Sequence, residues 1–195
     1  MNVLIRPRPG DFVYSPVEID MMVADIKEAV RCGADGIVVG ALTPDGDIDM
    51  ETCRRFIDAA RGRNATFHRA FDVCHNPFKA LEDVISLGFD RILTSGQSVD
   101  ALHGSDMIHR LHDKAAGRIR IMAGAGVKPE NAAEILAFSH CDDLHASARS
   151  LMPSAMTARA GEASMGTADA ADGSRMATDR SIVAQLKSIL STCQL

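Results

Sequence analysis

Short apolar runs, each separated from the next by one helix-length segment, recur along this chain, and that spacing restricts its fold more than any other feature. The runs lie at residues 2–6, 36–39, 65–68, 91–94, 119–122 and 143–145, and all are rich in Val, Ile, Leu or Phe. The segments between them carry helix marks. Residues 17–32 place Ile19, Met22, Val23, Ile26 and Val30 on one face, behind Pro16 and ahead of Gly33. Residues 49–60 have acidic groups early and Arg61 behind them, which suits the helix dipole. Further helices are expected at 78–87, 107–116, 129–138 and 179–190. The phrases Cys32-Gly33-Ala34-Asp35-Gly36 and Leu87-Gly88-Phe89-Asp90-Arg91 put glycine at a helix end and then turn into a strand. That is the joint of a repeated βαβ unit.

Strands joined this way run parallel through right-handed crossovers. Six units are visible; a doubly wound sheet takes five or six and a closed barrel eight, so the count leaves both open. The turn after the first run reads Pro7-Arg8-Pro9-Gly10-Asp11 in place of G-x-G-x-x-G, which disfavours a dinucleotide fold. With 195 residues, 46% of them apolar, the chain is expected to form one domain over 1–195 with a real core. Basic residues number 21 and acidic ones 26, and no basic stripe is interleaved with aromatics, so a nucleic-acid partner is not expected. The first residues lack the length of a signal peptide, and no apolar stretch approaches membrane-spanning length. The five cysteines form no CxxC pair or disulfide framework, which fits a reduced, cytoplasmic setting. Residues 151–177, dominated by Ala, Ser, Gly and Met, read as one long loop ahead of the last helix.

The run Thr66-Phe67 ends abruptly in His68-Arg69-Ala70-Phe71-Asp72. Three ionisable side chains at the exit of a buried strand suit the C-terminal rim of a parallel sheet, where sites are built. The same rim is expected to present Arg6 and Arg8, Gly40 and Thr43, Thr94 and Ser95, Gly124 and Gly126, and His145 and Arg149. It would be electropositive and suited to a carboxylate or phosphate. His68 reads as a general base or acid with Asp72 as its partner. The competing readings are a structural histidine and a simple Arg69–Asp72 pair at a loop mouth. Ala123-Gly124-Ala125-Gly126 ahead of Pro129 suits an anion seat at a helix start, or a tight turn without a ligand. His103, His109, His112 and His140 read as ordinary surface. Cys74 and His75 beside His68 make a soft set, yet adjacent residues rarely both ligate, so no metal site is assigned.

These residues carry a resemblance. Asn2 to Arg8 with Gly10 to Ser15, Gly33 to Gly36, Gly40 to Thr43, Phe67 to Asp72, Leu93 to Gly96 and Ser147 to Ser150 resemble the CutC copper homeostasis family. The resemblance implies an α/β, TIM-barrel-like fold, a cytoplasmic location, a role in copper handling with copper as the suspected ligand, and self-association as dimers or tetramers. It settles no enzymatic reaction. Members are expected to carry about fifty further residues ahead of the Arg-Pro-Arg strand, holding the strands that would complete eight. The resemblance places in that stretch an acidic residue near the barrel mouth and the cysteines proposed to bind copper. Where the family often has Phe-His-Cys-Ser-Ala-Arg-Ser, this chain reads Leu144-His145-Ala146-Ser147-Ala148-Arg149-Ser150, so a thiol is replaced there too. The sequence therefore reads as a barrel with about six of its eight units, with copper binding in doubt. A barrel enzyme acting on a small phosphorylated or carboxylated metabolite is one alternative, and a non-catalytic fragment or interaction subunit is another.

Overall fold

The computed structural model of the chain describes residues 1–156 and 174–193. Six parallel strands pair strictly in chain order: β1 (Asn2–Leu4), β2 (Gly36–Val39), β3 (Asn64–Phe67), β4 (Arg91–Thr94), β5 (Arg120–Gly124) and β6 (Asp143–His145). Between them run α1 (Pro16–Arg31), α2 (Met50–Ala60), α3 (Pro77–Ser86), α4 (Ser105–Ala115) and α5 (Pro129–Ser139). The helix starts are capped as their residues dictate. Ser15 and Glu18 form a reciprocal capping box on α1, Asp49 accepts from the Thr52 amide at 3.0 Å, and Asn76 accepts from the Phe78 and Lys79 amides.

The joints between helix and strand repeat one device. Gly33 and Gly88 adopt left-handed backbone (φ 87° and 84°) and end their helices. The aspartate that follows reaches the strand before it: Asp90 accepts from the Ala65 amide at 2.7 Å, and Asp35 pairs with the Met1 amine. Asp142 accepts from the Ile121 amide at 2.7 Å in the same way. The amides at strand starts, which would otherwise lack partners, are thus satisfied along the N-terminal rim.

Strict alternation divides the two faces. Ile37, Val39, Ala65, Phe67, Ile92, Ile121 and Ala123 are buried against helix residues such as Met22, Ile26, Phe56, Leu81, Ile108 and Ile135. The intervening residues Leu4, Val38, Thr66, Leu93 and Met122 face the other side and line one cavity of about 420 Å³. In a flat sheet β1 and β6 would stand about 24 Å apart, five strand spacings of about 4.8 Å. Asn2 and His145 nonetheless border the same cavity, so the sheet curls. Its N-terminal end is closed by Arg91 and Arg120, which bond Asp143 at 2.7 and 2.8 Å.

Residues 151–177 do not form a single loop. Their outer ends pair as the antiparallel strands β7 (Arg149–Met152) and β8 (Arg175–Thr178), while residues 157–173 of that predicted loop lie outside the described residues. The last helix, α6 (Arg180–Cys193), packs on α5 and sends Leu186 and Ile189 to the core. Among the described residues no helix is long and apolar enough to cross a membrane.

The outer edges of β1 and β6 have no strand partner among the described residues. The Ile5 amide bonds Val38 at 3.0 Å, so alternation turns the Leu4 amide to the open edge. Hydrogen exchange on the monomer is expected to be orders of magnitude faster at Leu4 than at Ile92 in β4. Equal protection at the two amides would show that the edge is covered.

Candidate functional site

The strand ends bring Arg6, His68, Arg69 and His145 to one mouth, where they border the 420 Å³ cavity above Leu4, Val38, Thr66, Leu93 and Met122. His68 sits at the turn from β3 into a short 3₁₀ helix, Arg69–Val73. Its Nδ1 accepts from the Ala70 amide at 3.2 Å, which assigns the ring proton to Nε2. Nε2 itself is buried without a hydrogen-bond partner among the described residues. The ring is sheathed by Phe12 at 4.9 Å and by the edge of Phe67 at 6.1 Å. Gly40 makes room for it, since a Cβ at that position would lie 2.7 Å from Nδ1. Burial pushes the His68 imidazolium down to about 4, so the neutral ring prevails at physiological pH.

Asp72 points elsewhere. The 3₁₀ turn swings its carboxylate to the loop after β4, where Oδ1 accepts from the Thr94 hydroxyl and from the Ser95 amide at 2.9 Å. Oδ2 takes the Arg69 Nε at 2.6 Å, and Arg69 also donates to the Ser95 hydroxyl at 3.1 Å. The expected His68–Asp72 pairing is therefore not made. The Arg69–Asp72 ion pair is made, and it brackets two successive strand ends. Thr94, fully buried, belongs to that bracket and is absent from the cavity wall.

The two arginines of the first loop also separate. Arg8 gives Nε to Glu18 at 2.6 Å, a second nitrogen to Asp11 at 3.0 Å and a third to the Val13 carbonyl at 2.8 Å. All three nitrogens thus hold the β1–α1 loop on its helix, and Arg8 does not line the cavity. Arg6 donates to the Gly10 carbonyl at 2.8 Å and lies over the Phe12 ring at 4.6 Å. An Arg6–Phe12–His68 stack therefore spans one side of the mouth.

A second cleft of about 520 Å³ adjoins the first and shares Arg69 and His145 with it. Gly126, Lys128 and Arg149 border it, along with Gln185 of α6. The turn ahead of α5 is held by its own Asn131, which accepts from the Lys128 amide at 2.8 Å and donates to the Gly126 carbonyl at 3.0 Å. Gly124 is a packing requirement, because a Cβ there would meet Leu93 Cδ1 at 2.4 Å and the His145 Cβ at 3.2 Å. Burial lowers the His145 pKa. Reading the rim alone misses Phe12 and the inward strand residues; the period-two alternation in β2 to β5 is the signal that finds the latter.

The thiols are poorly placed for a metal. Burial pushes Cys53 up to about 12, Cys74 up to about 11, and Cys141 upward as well, so all three stay protonated. His75 is exposed while His68 is buried, and the soft set around Cys74 does not converge. Among the described residues no group of three or more His, Cys, Asp or Glu is arranged to hold a metal ion. The donors described therefore do not fit a copper centre. The other histidines are less ordinary than their sequence suggests: His109 and His140 pack edge to face at 4.6 Å, and the Nδ1 atoms of His109 and His112 are buried without hydrogen-bond partners among the described residues, His112 Nδ1 lying 3.8 Å from Asp113.

Two measurements test these assignments. The folded His68 titrates near pH 4 and an unfolded histidine near 6.5, so between those values only the unfolded chain takes up the proton. As the pH is lowered from about 6.5 to about 4, stability is expected to fall by roughly 1.4 kcal/mol per pH unit, about 3 kcal/mol in all, and His68→Gln should remove this slope. Asp72→Ala leaves the Thr94 and Ser95 donors without their acceptor and is expected to cost about 3 kcal/mol in denaturant unfolding.

The profile of the CutC family matches residues 1–150. A CutC family protein of Histophilus somni is 46% identical over 187 residues, which cover 96% of this chain and 76% of that protein. One from Chromobacterium violaceum is 43% identical over 190 residues, 97% of this chain and 77% of its own length. Among solved structures, the putative copper homeostasis protein CutC of Streptococcus agalactiae superposes with a TM-score of 0.71 at 36% identity, covering 74% of this chain and 70% of that one. A structure described as an aldolase, 20% identical with a TM-score of 0.57, shares the fold alone. The curled, chain-ordered parallel sheet is thus an incomplete TIM-barrel-like fold, and the chain belongs to the CutC family.

Proposed function

We propose that this chain serves copper homeostasis, the role for which its Streptococcus relative is named, by binding a small carboxylated or phosphorylated molecule at the mouth of the curled sheet. The observation that carries this reading is the wall of the 420 Å³ cavity. Among the described residues it includes Arg6, Arg69 and His145 at the mouth and no acidic residue, and Arg6 is the mouth cation without a carboxylate partner, in a chain whose net charge is -5. Asp72, the nearby carboxylate, is turned away and neutralised by Arg69. With the Arg69 charge shared with Asp72, Arg6 leaves the mouth positive on a negative protein, which favours an anion there.

The chemistry supported is recognition in preference to proton abstraction. The acceptor nitrogen of His68 is occupied by the Ala70 amide, and the free nitrogen carries the proton. A copper cage needs converging soft donors, and the buried protonated thiols do not supply them. Cytoplasmic location fits the free cysteines, of which Cys32 is exposed. Self-association as a dimer or tetramer fits the open sheet edges.

Calorimetric titration with inorganic phosphate and with acetate is expected to show saturable binding that Arg6→Gln weakens about fivefold, on the order of 1 kcal/mol for an exposed rim charge. In parallel, Cu(I) held by a chromogenic chelator should stay with the chelator. Failure of both anions to bind, with stoichiometric extraction of Cu(I), would overturn the reading in favour of direct copper binding.

A further inference from the structure

The cavity at the mouth has two chemically different halves. Its outer half holds the guanidinium groups of Arg6 and Arg69, and its inner wall is Leu4, Val38, Leu93 and Met122. At their boundary stands His68, only 4% exposed, with a protonated Nε2 that has no acceptor. Buried N–H groups in native proteins are almost always paired, so an orphan donor on a residue that borders a cavity points to a missing partner. Everything around it keeps it in this state. Gly40 admits the ring, the Ala70 amide fixes the tautomer, and Phe12 shields the imidazole from water.

We propose that the groove takes a small carboxylate with an apolar body. Its carboxylate lies between Arg6 and Arg69, with one oxygen accepting from the His68 Nε2–H, and its hydrocarbon lies on Leu4, Val38, Leu93 and Met122. The inference rests on the anion reading above and narrows it to one ligand class. A sugar phosphate fits this wall less well, because most of its hydroxyls would be buried against Leu4, Val38, Leu93 and Met122, with Thr66 and Asn2, besides the histidines, as the uncharged polar groups of the lining. A carboxylate places its two oxygens against two guanidiniums and one N–H and presents the rest of its surface as hydrocarbon. The size is suitable, since small-molecule sites run from roughly 300 to 1,000 Å³ and are mostly apolar with a few placed polar groups. The Arg91–Asp143 pair closes the far end with its cation neutralised, and Arg69 shares its charge with Asp72, so Arg6 supplies the unpaired charge at the mouth.

The test compares 4-methylpentanoate, acetate and inorganic phosphate by calorimetry on the full chain. The branched acid is expected to bind at least about tenfold more tightly than acetate, through the methylene groups it buries. Its uncharged analogue, 4-methylpentanamide, should lose most of that affinity. Leu4→Asn, at an exposed edge position, should weaken 4-methylpentanoate more than it weakens phosphate. His68→Leu should lower affinity for the acid about tenfold, with partial recovery in His68→Gln. Because either His68 variant can perturb folding, ¹⁵N spectroscopy of the unaltered imidazole gives a second readout. The Nε2–H tautomer should be present in the free protein, and its nitrogen resonance should move on addition of 4-methylpentanoate. Phosphate binding as tightly as the branched acid would leave the anion reading standing and overturn this one. An unmoved His68 resonance at saturation would also overturn it, as would a free protein whose groove is filled by a second copy of the chain.

Discussion

Everything in this molecule follows from a parallel backbone ladder in which no strand is skipped. Each strand pairs with the next in chain order, from β1 to β6. With right-handed crossovers throughout, successive helices are laid on the same face of the sheet. One face then becomes a core of Ile37, Phe67, Ile92 and Ile121 against helices, and the other becomes the lining of a groove. The twist of a sheet covered on one side carries its edges toward one another, and a single cavity bordered by both Asn2 and His145 is the result. The aspartates at the helix–strand joints hold the lower rim of this arrangement by accepting strand-start amides, so the upper rim is left to function.

On that upper rim, one helical turn decides what each polar residue does. His68 and Asp72 stand four positions apart, close enough to suggest a catalytic pair. The 3₁₀ segment between them sends the carboxylate to the β4 loop and leaves the imidazole on the groove side. A similar partition separates Arg6 from Arg8. Arg8 is consumed by Glu18, Asp11 and the Val13 carbonyl, and the loop so formed holds Phe12 between Arg6 and His68. The acidic groups near the site are committed to structure, Arg69 is tied to Asp72, and among the described residues the mouth keeps Arg6 and the unpartnered Nε2 donor of His68.

The regular part of this architecture is legible in the residues. Strands at 36–39, 91–94 and 143–145 appear with those bounds, because their β-branched and aliphatic runs are flanked by glycine and polar joints. The first apolar run extends to Arg6, but its ladder ends at Leu4, since Arg6 already belongs to the proline-rich loop. Pairing of 149–152 with 175–178 is not legible. Those stretches are short and interrupted by residues of weak strand preference, and an antiparallel ladder between distant segments is set by tertiary proximity. The rim is legible as a collection of residues and not as a set of partnerships, because side-chain pairing across loops depends on turn geometry that composition does not encode.

By itself, the sequence determined the parallel repeat and the polarity of the strand ends. Those properties are local: alternation, capping residues and glycine at helix ends act within a few positions of one another. Only the tertiary structure decided that Asp72 belongs to Thr94 and Ser95, that Phe12 covers His68, and that Leu4 and Met122 share a wall with Arg6 and Arg69. These contacts join elements far apart in the chain, and they exist because the curl of the sheet brings its two edges to one opening. The protonated, unpaired nitrogen of His68 is the clearest product of that step, since neither its tautomer nor its burial follows from the residue alone.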